Sequence, residues 1–107
     1  MIKIRTRQID STASIYVSGH SGTADIGHDI VCAAASILLY TAAQAVNDMY
    51  AQGKLRRKPT ITIKNGYGGV SCTAKKDYTD EVRHTYCVVM TGFKLLAHNY
   101  PKYVVIT

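Results

Sequence analysis

Tryptophan is absent from this chain, phenylalanine occurs once and proline twice, so its 107 residues must build a core from aliphatic side chains and from some of its eight tyrosines. Cysteine is scarce and odd in number. Cys32, Cys72 and Cys87 form no CxxC pair, which argues against a disulfide framework or a closed zinc site and fits a reducing cytosol. No metal or other cofactor is implied. Acidic residues are few, seven against thirteen Lys and Arg, and the net charge of +6 suits an anionic partner such as RNA or an acidic protein segment. An apolar leader is lacking too: Lys3, Arg5 and Arg7 alternate with Ile2, Ile4 and Thr6, which is strand patterning and leads us to expect a cytoplasmic protein. One stretch lacks charge altogether, the 17 positions from Ile30 to Val46, near the lower limit for spanning a bilayer. Ser36, Tyr40, Thr41, Gln44 and an abundance of alanine make it a better buried helix, and no membrane contact is expected.

The length fits one domain over residues 1–107, with a hydrophobic fraction of 47% that supports an ordinary globular core. Alternation over Ile2 to Ile9 and again over Ser14 to Ser18, with Asp10 and Ser11 between them, predicts a β-hairpin. Gly19 to His28 is rich in glycine and small polar residues and reads as a loop. Asp29 stands where an N-cap would stand, followed by Ile30, Ala34, Ile37, Leu38, Thr41, Ala45 and Met49 at helical spacing up to about Gly53. Beyond a basic connector and Pro59, Thr60 to Lys64 and Val70 to Ala74 predict a second hairpin joined by Asn65 to Gly69. That glycine cluster lacks the Lys-Ser/Thr and the helix of a nucleotide loop, so a turn is the better reading. From about Asp77 the spacing of Val82, Tyr86, Val89, Phe93 and Leu96 predicts a second helix closed by Pro101, and Lys102 to Thr107 reads as a last strand. The expected fold is α/β of the α+β type: a mainly antiparallel five-stranded sheet packed with two helices, in the order ββαββαβ.

Among the ionisable residues Cys32 has the most informative setting. Three positions beyond the Asp29 cap it would fall in the first helical turn, where free N–H groups and the helix dipole stabilise a thiolate and could cradle an oxyanion. The alternative is a small buried helix residue. His20 stands twelve positions earlier, at the end of a strand and across the glycine-rich loop. Within hydrogen-bond reach its imidazole would take the thiol proton and return it to a leaving amine. His28 is nearer in sequence but reads as a loop residue, and His84 and His98 as helix residues without a reactive partner. Cys72 and Cys87 both read as core.

The run Ser18-Gly-His20-Ser-Gly22, followed by Gly27-His-Asp29-Ile-Val-Cys32-Ala-Ala-Ala-Ser36, resembles the Prp family of ribosomal-processing cysteine proteases, also called YsxB-like. That family carries a Gly-His pair, a short glycine-containing loop and an Asp-Ile-Val-Cys-Ala-x-x-Ser helix start at the same separation. The resemblance implies a homodimeric endopeptidase that removes a short N-terminal extension from large-subunit ribosomal protein twenty-seven, cutting after an aromatic residue. It casts His20 as general base and Cys32 as nucleophile, with Gly19, Gly22, Gly27, Asp29 and Ser36 as supporting or substrate-binding positions. Ser21 departs from the alanine usual at its position, and the basic balance departs from the family's. A prophage-type protease acting on capsid or scaffold protein is therefore one alternative. A noncatalytic ribosome- or RNA-associated module is the other, with Lys54, Arg56, Arg57 and Lys58 as its contact, although such a run is more often a solvated connector.

Overall fold

The computed structural model describes residues 1–19 and 26–107, with only the backbone at 26–29. In chain order the elements are β1 (Ile2–Ile9), β2 (Thr12–Ser18), α1 (Ile26–Ala51), β3 (Thr60–Lys64), β4 (Tyr67–Thr73), a 3₁₀ turn (Lys76–Tyr78), α2 (Thr79–Asn99) and β5 (Val104–Ile106). The strands lie side by side as β3-β4-β2-β1-β5.

The fold is α+β, and its sheet is mixed. Pairs β1/β2, β2/β4 and β3/β4 are antiparallel, while β5 runs parallel to β1. This corrects the expected mainly antiparallel sheet, and the expected element order gains the 3₁₀ turn ahead of α2. The reason lies in the connections. Two-residue turns permit only antiparallel neighbours, whereas β5 reaches the free edge of β1 by way of α2, a crossover that allows the parallel direction. Asn65-Gly66 is such a two-residue turn, with Gly66 at φ +80°, so β4 begins three residues earlier than the glycine cluster suggested.

Alternation fixes which sheet face is covered. Ile4, Ile15 and Val70 are fully buried and meet Val31, Leu39 and Val46 of α1 and Tyr86 and Phe93 of α2 in one core cluster. The α2 face matches the expected one: Val82, Tyr86, Val89, Phe93 and Leu96 are all buried. On α1 the buried stripe is Val31, Ala35, Leu39, Ala42 and Val46, while Ile30 and Ile37 are 50% and 63% exposed. The expected stripe was thus one residue out of step. An all-round apolar helix has no contrast between faces, and the alanines at 35 and 42 let its axis approach the sheet closely. Residues Ile30–Ala51 meet the length and hydropathy of a membrane span, but the packed stripe accounts for that apolarity as a core helix. Cys72 is buried as expected; Cys87 is not, and lies exposed on α2.

Candidate active site

Cys32 is a free, half-buried thiol on α1. The helix begins at Ile26, so Cys32 is its seventh residue and not its third. That corrects both the Asp29 cap and the first-turn setting, because extending a helix already anchored by Val31 and Ala35 adds a hydrogen bond per residue at little further cost. The free N–H groups belong to residues 26–29, and the dipole's influence fades beyond the first turn. Activation of the thiol by the helix terminus therefore loses its basis.

The same helix forms one wall of a groove of about 410 Å³, to which Cys32, Ser36 and Tyr40 contribute at successive turns. Opposite stands the β3–β4 turn, from Ile63 to Gly68, and Ile2 and Val17 supply an apolar floor. Gly68 helps the walls come close: a Cβ there would overlap a terminal methyl of Leu39 and push that side chain aside. Nothing in the residue pattern places this turn beside Cys32, and its role as a wall is legible only in the fold.

Gly19 lines the groove as well. Its N–H donates to the Gly66 carbonyl at 3.1 Å. Its φ is +131°, and a Cβ would collide with the Met1 carbonyl and the Ile2 backbone, so the position demands glycine. The chain thus leaves β2 pinned to the groove's rim, one residue before His20. His20 and Gly22 lie outside the described residues; Gly27, His28 and Asp29 lie in the first turn of α1, their side chains outside the description. Ser36 is exposed in the groove, one turn beyond Cys32. In the basic connector Lys54 pairs with Glu81 at 3.0 Å, and Arg57 donates to Thr73 Oγ1 at 2.9 Å.

A free cysteine and a glycine-tethered strand end share one groove, and the sequence model of the cysteine protease Prp matches residues 1–105. The chain belongs to the Prp family. It is a cysteine protease by that membership. No curated protein sequence matches it. Among solved structures it resembles the essential ribosomal processing protease Prp from S. aureus in complex with a substrate peptide, at 21% identity and a TM-score of 0.72, covering 100% of this chain and 98% of that one. The same enzyme with a covalently linked product peptide gives 22% identity and a TM-score of 0.68 over 100% and 98%. SMU.848 from Streptococcus mutans gives 23% identity and 0.67, over 100% and 92%. At these identities the structural likeness shows the shared Prp fold.

Proposed function

We propose that this Prp-family protease is a ribosomal-processing endopeptidase that removes the N-terminal extension of large-subunit ribosomal protein twenty-seven, with Cys32 as nucleophile and His20 as general base. The observation that carries the reading is that Cys32 and Gly19, the chain neighbour of His20, line one groove. A residue one position beyond Gly19 has its Cα about 3.8 Å from that of Gly19.

His20 takes the Cys32 proton as sulfur attacks the scissile carbonyl, and the imidazolium returns that proton to the departing amine. The thioester left on Cys32 is hydrolysed by a water that gives its proton to His20, releasing the carboxylate product and restoring the thiol. With Cys32 two turns into α1, the base carries the activation. The apolar floor and Tyr40 suit a large apolar side chain on the acyl side of the cut, in keeping with cleavage after an aromatic residue. Support for a ribosomal substrate comes from the S. aureus relative, a ribosomal processing protease solved with a substrate peptide. The reading includes a cytoplasmic location and a homodimer, the latter supported by exposed Ile37, Val88 and Leu95 on the two helices.

Incubation with a peptide spanning the extension junction, with new N-termini mapped by mass spectrometry, tests the reading. Cys32→Ala and His20→Ala should each abolish cleavage, together costing no more than either alone, since the pair acts as one unit. Cys72→Ala and Cys87→Ala should cut as before. Cleavage of a phage capsid or scaffold protein with the ribosomal peptide untouched would refute the substrate, and activity surviving in folded Cys32→Ala would refute the chemistry.

A further inference from the structure

Adjacent glycines on β4 show the two faces of the sheet: a Cβ on Gly68 would point into Leu39 of α1, whereas one on Gly69 would meet the Tyr16 ring and the Tyr67 hydroxyl. Both helices pack on the Gly68 side, through Leu39 and through the Tyr86 hydroxyl, which donates to the Val70 carbonyl. The Gly69 side carries no helix among the described residues. Onto it alternation brings Lys3, Arg5 and Arg7 of β1, all exposed, with Tyr16 of β2. Arg57 reaches the same side through Thr73. Among the described residues no side-chain carboxylate lies in a strand; the nearest along the chain, Asp10, sits in the β1–β2 turn.

We propose that this open face binds single-stranded RNA, separately from the catalytic groove on the helix side. Three features select that partner. The β1 cations stand about 7 Å apart along an extended strand and present a line of positive charge to a phosphate backbone. The Tyr16 ring lies against Gly69 and carries the Arg5 guanidinium 5.2 Å above its centroid, a layered flat surface on which a nucleobase stacks. Hydroxyls line the sheet between them, Ser14 bonded to Ser71 and Thr12 to Thr73, and the exposed apolar side chains of this face, Ile9 and Val105, stand at opposite ends of β1. A second copy of the chain would oppose cations to cations across a two-fold axis. Choosing RNA over DNA rests on the ribosomal reading of the function; the face itself does not depend on it.

Fluorescence anisotropy of a labelled mixed-sequence 15-nucleotide RNA, titrated with the full chain between 50 and 200 mM KCl, is the test. Binding should weaken with salt at a log–log slope of about −2, from three phosphate contacts at ~0.7 each. Arg5→Gln with Arg7→Gln should weaken binding tenfold or more and flatten the slope. Tyr16→Ala should weaken it at least fivefold with the slope unchanged, since stacking carries about 1–3 kcal/mol per base. Arg56→Gln with Lys58→Gln, on the connector, should bind as the parent does. All these variants should retain peptide cleavage, which separates failure of this face from failure of the protease reading. Absence of RNA binding at 50 mM KCl would overturn the proposal. So would equal affinity for poly-glutamate or for anionic phosphatidylglycerol vesicles, or preference for DNA of the same sequence.

Discussion

Tyr86 sends its hydroxyl through the core to the Val70 carbonyl at 3.1 Å. Burial pushes it above its ordinary value of 10.0, reinforced by Cys72. Burial likewise pushes the Cys72 thiol above 9.0, partly offset by its interaction with the neighbouring Tyr86 hydroxyl. Both groups fold neutral. A group whose folded pKa is raised contributes stability that is full below its unfolded pKa and is lost as pH rises through the folded one. We therefore expect thermal stability to fall as pH climbs from about 9 to 11, by up to ~1.4 kcal/mol per pH unit for each group ionised in the unfolded chain. Tyr86→Phe should cost about 1 kcal/mol at pH 7 through the lost hydrogen bond, yet show a shallower alkaline decline. Melts across the pH range check this, and an unchanged slope would remove Tyr86 as a cause. At Cys32 the sequence pointed to a thiol in the first helical turn; its place on the groove replaces the helix terminus as the ground for its proposed role.

At the scale of elements, two glycines shape the groove. Gly68 lets α1 settle onto β4, and Gly19 turns the chain at the rim in a conformation that a side chain would strain and collide with. Gly19→Ala should lower stability by more than about 1 kcal/mol and reduce kcat/KM of peptide cleavage at least tenfold, while Cys32 alkylation by iodoacetamide persists. Circular dichroism melts and steady-state kinetics separate the two effects. Parent-like kinetics in Gly19→Ala would show that the rim does not position His20. The helices themselves were readable as elements, since both carry sustained apolar spacing. The rotation of α1 was not, because Ile30, Ile37 and Leu38 are as apolar as the Val31, Leu39 and Val46 that the sheet covers.

For the whole molecule, apolar side chains left outside mark where association would occur. Ile37 on α1 and Val88 and Leu95 on α2 are all more than half exposed, and a dimer through the helix layer would cover them. Ile37→Lys with Leu95→Lys should convert a dimer to a monomer in light scattering without lowering the helical signal. A parent chain already monomeric at micromolar concentration would end the homodimer proposal. The arrangement also keeps the molecule's two faces chemically distinct. Helices and groove lie on one side, and a cationic strand surface on the other.

Local chemistry by itself determined the strands, the two helices and the α2 core face. Each depends on residues near one another in the chain, through periodicity and turn residues. Only the tertiary structure decided that β5 pairs parallel to β1, that α1 turns Val31 inward and Ile37 outward, that Cys87 is exposed, and that the β3–β4 turn closes the groove. These outcomes depend on which surfaces meet, and apolar residues on every side of α1 leave several meetings equal until close packing selects one. The helix start followed the same rule. Asp29 offered a local cap, but a helix already anchored on the sheet continued one turn further, carrying Cys32 from the terminus into the wall of the groove.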